Sequence, residues 1–163
     1  ASVSYNGNLG GLAGADNKCQ TLADAQPALA GSTWRAWLSD AAISAASRLG
    51  PGSPGFRDID IRKVSVDRRI VANNWADLTD GTLYTEIDVT ETGGGAGNFI
   101  WTNTNPDGSI TSAAKNCNNW TSSSGADEGD VGATSTSGGG WTQYSNPQPC
   151  DLPVTKSLYC FER

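Results

Sequence analysis

The sequence predicts a loop-rich α+β domain, and three observations carry that reading. Helical signals are confined to the first fifty residues. The remainder of the chain breaks into short apolar pieces separated by turn residues. Twenty glycines, seven prolines and many Ser, Thr and Asn residues argue against a helical bundle. At 163 residues a single domain over 1–163 is expected, long enough to bury a core.

The Gly-rich opening, Asn6 to Gly14, leads into a helix expected over about Ala15 to Gln26. Cys19, Leu22 and Ala23 repeat at i, i+3, i+4, and Pro27 ends it. Trp34 to Leu38 is short, aromatic and apolar, which suits a strand or buried turn. Ser39 is the expected cap of a second helix with Ile43, Ala46 and Leu49 on one face, stopped by Gly50-Pro51. From Asp58 to Val71, Ile59, Ile61, Val64 and Val66 alternate in part, predicting one or two strands.

Five of the eleven basic residues (Arg57, Arg62, Lys63, Arg68 and Arg69) fall in that stretch among Asp58, Asp60 and Asp67. An anion-binding patch is one reading. A solvated strand face with local ion pairs is the other, and such pairs are common and weak. Beyond Trp75 the chain is turn-rich, with Asn98 to Trp101 and Ser157 to Cys160 as short apolar pieces. Thr121 to Gly140 has no apolar residue larger than Val131 and is expected to be a surface loop.

Charge and composition exclude whole classes of function. The net charge of −6, with a pI near 4.4, argues against nucleic acid, heparin and membrane surfaces as partners. No apolar run reaches transmembrane length, so membrane insertion is not expected. The chain opens on a polar stretch without secretory features, as a mature protein or an excised domain would. Without histidine there is no Ser-His-Asp or Cys-His nucleophile system and no His-ligated zinc. Cys19, Cys117, Cys150 and Cys160 allow three pairings, and the residues alone do not choose among them. An even count without Cys-x-x-Cys spacing favours disulfides, hence a secreted or cell-surface location.

Several residues are candidates for a site. Asp127, Glu128 and Asp130 place three carboxylates in four positions, with Asp107 as a fourth in space. Hard oxygen ligands at close spacing suit calcium, the one cofactor considered; a solubilising acidic loop is the plainer reading. Six tryptophans offer aromatic faces for sugar stacking, although such residues more often fill the core. Trp141, after three glycines, is the one expected to be exposed, with Tyr144 and Asn146 as hydrogen-bonding neighbours. Asn119-Trp-Thr121 matches an N-glycosylation sequon.

Five segments in order add a resemblance: Trp34-Arg-Ala-Trp-Leu-Ser39, Asn74-Trp-Ala-Asp-Leu-Thr-Asp-Gly81, Trp101 with Asn105-Pro-Asp-Gly108, Cys117-x-x-Trp120, and Leu158-Tyr-Cys-Phe-Glu162. Together they resemble the C-type lectin-like superfamily, most closely its endostatin-like branch, over about residues 9–162. The opening, residues 8–16, is also similar to a bacterial extracellular family with that fold, found in lipoproteins and surface proteins. The resemblance implies two helices flanking antiparallel sheets, long loops and nested disulfides, Cys19–Cys160 and Cys117–Cys150. In the chain-entropy model, closing the longer of those loops is worth about 4–5 kcal/mol.

The chain departs from the sugar-binding members. Asn105-Pro106-Asp107 resembles their calcium-binding Glu-Pro-Asn motif with a weaker first ligand, and Gln143 stands where a second motif carries Asp. The endostatin-associated zinc and heparin sites do not carry over, because histidine is absent and the charge is negative.

The expected function is therefore a non-catalytic extracellular module. It binds a glycan or an extracellular protein through the loop face that carries Asn105, Asp107, Trp141, Tyr144 and Asn146. The alternative is a structural subunit of a bacterial surface assembly, in which self-assembly is the partner interaction. An ice- or mineral-binding face is a third reading. An enzyme would need a carboxylate pair, for which Glu86, Glu91 and Asp107 are unranked candidates.

Overall fold

The computed structural model describes residues 1–65, 67–151 and 156–163. Helix α1 (Gly11–Asp24) starts four residues before the expected position, because Gly10 adopts a left-handed φ of 82° and enters the helix directly. It buries Ala15, Cys19 and Ala23 along one face. Strand β1 (Trp34–Ala36) pairs antiparallel with β8 (Cys160–Glu162), matching Ala36 to Cys160. Cys19–Cys160 ties α1 to that pair, and Cys117–Cys150 closes the second bridge, the nested arrangement that the resemblance implied.

Helix α2 is shorter than expected, Ala45–Leu49, and Ser44 caps it by accepting from the Ser47 amide at 3.1 Å. Ser39, the expected cap, lies outside the helix, yet its hydroxyl does accept from the amide of Ala45, the first helical residue, at 2.8 Å. Asp40 Oδ1 accepts from the amides of Ala42 and Ile43, folding residues 40–43 into a turn and leaving Ile43 exposed. The strand-forming stretch is a hairpin, β2 (Ile61–Arg62) and β3 (Ile70–Ala72), with Val66 outside the described residues. One turn, α3 (Trp75–Leu78), is capped by Asn74.

The third sheet has the order β6-β5-β4-β7, built from β4 (Phe99–Trp101), β5 (Glu128–Ala133), β6 (Tyr144–Pro149) and β7 (Lys156–Ser157). Strand β5 corrects the expectation of a surface loop. Its sequence, Glu-Gly-Asp-Val-Gly-Ala, lacks the bulky alternation of a strand because neighbouring segments press on it. A Cβ at Gly132 would stand 2.1 Å from the Trp141 carbonyl oxygen, and one at Gly129 would stand 2.7 Å from the Trp101 ring. Between β4 and β5, the single turn α4 (Cys117–Trp120) has left-handed φ throughout, from 49° to 62°. Non-glycine residues adopt this conformation at a cost, which the disulfide and the burial of Trp120 offset.

Two apolar clusters form the core. One gathers α1, β1, Trp101, Trp120 and the disulfides; the other gathers Trp37, Leu49, Val71, Leu78, Ile100, Trp141 and Tyr159. The chain is thus a mixed α+β protein with small sheets, many loops and two disulfides.

Candidate functional site

The loop face rests on a buried polar network. Ser39, Thr102, Asn103, Thr104 and Thr142 are fully buried. The Trp37 indole N–H donates to Thr142 Oγ1 at 2.7 Å, and that hydroxyl donates to the Thr104 carbonyl at 2.9 Å. Ser39 Oγ and Thr104 Oγ1 share a bond of 2.8 Å, and Thr102 Oγ1 donates to the Thr142 carbonyl at 2.5 Å. Ser39 Oγ also accepts from the Ala45 amide, while the Ser39 carbonyl accepts from Trp120 Nε1 at 2.8 Å. Buried hydroxyls cost free energy unless paired, and a closed set of this kind fixes one arrangement of the segments that supply it. Sequence reasoning missed these five residues as a unit. Their only signal is the run Thr102-Asn-Thr104 directly after an apolar strand.

Above the network lies the 105–109 turn. Asn105 Nδ2 donates to Ser109 Oγ and to the Ile110 carbonyl, and its Oδ1 accepts from Thr111 Oγ1. The Asn105 side chain is thus engaged within its own loop. Asp107 is exposed and accepts from the Ser109 amide at 2.9 Å; hydrogen bonds from the Ser109 side chain and backbone hold its carboxyl below the ordinary range.

Next to this turn is the 3₁₀ turn Gly139–Trp141. A Cβ at Gly139 would stand 3.2 Å from Pro106 Cγ, and one at Gly140 would stand 3.5 Å from Tyr144 Cδ2. The Leu83 amide donates to the Ser137 carbonyl at 2.7 Å, which adds the 81–83 turn. Four segments therefore share one face: 81–83, 105–109, 137–140 and the start of β6. Tyr144 is 44% exposed, with its ring on Phe99 at a centroid distance of 5.7 Å, and Asn146 is exposed further along the strand.

Two site expectations need correction. Trp141 is fully buried and stacks on Trp37 and Tyr159, at 5.1 and 5.7 Å between centroids, so it presents no ring to solvent. Its 3₁₀ turn carries the ring inward, onto Trp37 and Tyr159. The acidic residues do not converge either. Asp127 accepts from Ser122 Oγ, Glu128 pairs with Lys115, and burial pushes the Asp130 carboxyl up to about 6. Among the described residues, no group of three or more Asp, Glu, Cys or His stands close enough to hold a metal ion. The reason is local: Asp127 precedes the strand and is engaged by Ser122, Glu128 is committed to Lys115, and Asp130 is buried in β5.

The sequon Asn119 is exposed, but its Oδ1 accepts from the Ala41 amide, and Trp120 beside it is buried. All four cysteines are in disulfides. Such bridges are consistent with an oxidising, extracellular setting. Among the described residues, no helix is long and apolar enough to cross a membrane.

A protein family described as of unknown function, DUF1554, matches residues 2–137. The chain belongs to that family. No curated protein matches it. The matched span covers α1 through β5 and the whole network except Thr142, and stops before Tyr144 and Asn146.

Proposed function

We propose that this chain is a non-catalytic recognition module, secreted or held at a cell surface. In this reading it is a C-type lectin-like domain of the endostatin-like branch, and it binds a glycan or an extracellular protein through the loop face. One observation carries the reading: a half-exposed aromatic ring, Tyr144, stands among four segments tied to each other and to a fully paired polar floor. Rigid presentation lowers the ordering cost of binding, and tyrosine supplies a large contact area with a polar tip. Asn146 and Asp107 add hydrogen-bonding groups at the edge of the same surface. With no histidine and every cysteine bridged, His-activated serine and cysteine nucleophile systems are absent, which suits a binding role.

The test is a glycan and extracellular-protein array probed with the wild type and with Tyr144→Ala, each with calcium and with chelator. Binding should fall about tenfold or more on loss of the ring and should ignore chelator. Chelator-sensitive binding would restore a calcium role to Asp107 and the 127–130 carboxylates. Binding indifferent to Tyr144→Ala would remove the loop face as the site. No binding to the array, with concentration-dependent light scattering, would favour the surface-assembly alternative.

A further inference from the structure

The opposite character appears beside the β2–β3 hairpin. A cavity of about 450 Å³ lies between the hairpin with its approach segment, α1 and the closing strand β8, and it shares no residue with the loop face. Its volume falls in the range of small-molecule sites. Leu22 and Leu29 line one side and Phe56, Ile59 and Val64 the other. Ile59 and Val64 are 56% and 38% exposed, although the chain has a core that could bury them.

One further observation points to a ligand: the charges at the cavity are unequal. Arg62 pairs with Asp60, Arg69 with Asp67 and Lys63 with Asp88, each at 2.6 Å. Arg57 and Arg68 line the same cavity, and among the described residues neither has an ion-pair partner. In a chain of net charge −6, two uncommitted guanidiniums beside an apolar hollow form a local exception.

We infer that the cavity binds an amphipathic organic anion, its apolar body packed between Leu22, Leu29, Phe56, Ile59 and Val64 and its charged group held at Arg57 and Arg68. Guanidinium groups suit this task because their planar donors match a carboxylate. The site is independent of the loop-face reading.

Decanoate below its micelle concentration is the probe, followed by displacement of the fluorescent anion anilinonaphthalene sulfonate, with decanol as the uncharged control. Displacement by decanoate should saturate at one equivalent, and decanol should be about tenfold weaker or worse. Ile59→Glu changes an exposed position, so the fold survives, and it should weaken decanoate by about tenfold or more. The double variant Arg57→Gln/Arg68→Gln should bring decanoate down to the level of decanol. Circular dichroism and thermal midpoints would establish that all variants are folded. Absence of saturable displacement, equal binding of decanol, or indifference to Ile59→Glu in a folded protein would each overturn the assignment.

Discussion

The loop region from 102 to 150 and the hairpin segment from 56 to 72 handle polar groups in opposite ways. In the loop region, hydroxyls and amides point inward and most are matched to one another: Ser39, Thr102, Thr104 and Thr142 pair within one network, while the buried Trp141 indole N–H has no partner among the described residues. In the hairpin segment, charges pair mostly with near neighbours at the surface, and apolar side chains remain in solvent. Both segments lack regular structure over most of their length. Irregular backbone is therefore a poor guide to rigidity; what decides it is whether the polar groups are buried and satisfied.

The sharpest break in that contrast comes from one substitution in each region. Gly132→Val would force a side chain into the Trp141 backbone and should cost about 4 kcal/mol or more, if the protein folds at all. Ile59→Ser, which removes apolar surface in the hairpin segment, should stay within about 0.5 kcal/mol. Chemical denaturation of the two variants measures both. Comparable losses would mean that the hairpin segment is as tightly built as the loop base.

A smaller effect probes the network itself. Thr142→Val keeps the side-chain shape but strands the buried Trp37 indole N–H, and should destabilise by about 1–3 kcal/mol. The same substitution at exposed Thr82 should be nearly silent, as shown by the same denaturation assay.

A third effect is read through pH. Burial raises the Asp130 carboxyl in the folded state to about 6, from 3.8. Between those values the folded chain holds a proton that the unfolded chain has released, so stability falls as pH rises through the window. The contribution is present in full below about 4, is lost above about 6, and amounts to at most about 3 kcal/mol, less a discount for the solvent that reaches the carboxyl. Asp107 works in the other direction: its lowered value stabilises above the ordinary carboxylate range and is lost as pH falls. Asp130→Asn should flatten the decline between pH 4 and 6 in thermal denaturation, whereas Asp107→Asn should leave that decline in place.

What was legible in the sequence obeys the same division. The first helix, an apolar segment at Trp34 suited to a strand or buried turn, one or two strands within 58–71 and the turn-rich second half are legible because periodicity and Gly/Pro punctuation report local preference. Strand β5 is not, since its glycines serve contacts with Trp101 and Trp141 that lie outside the strand itself. The burial of Trp141 is hidden for a related reason: three preceding glycines signal an exposed loop locally, whereas the ring packs on Trp37 and Tyr159, which lie elsewhere in the chain. Tyr144 and Asn146 do lie at the surface as expected, and Asp107 with them, whereas Asn105 is engaged in its own turn. The hydroxyl network was invisible because threonine and serine read as loop residues until their partners, up to 105 positions apart, are brought together.

Amide hydrogen exchange on the unmodified protein tests the central claim most directly, namely that the loop face is a rigid, internally paired platform. The amides of Thr102, Asp130 and Trp141, each bonded to a backbone carbonyl in the loop base, should be among the slowest to exchange. The Lys63 and Arg68 amides of the hairpin should exchange markedly faster, although they too are bonded to carbonyls. Fast exchange across the loop base, or equal protection in the hairpin, would contradict the account.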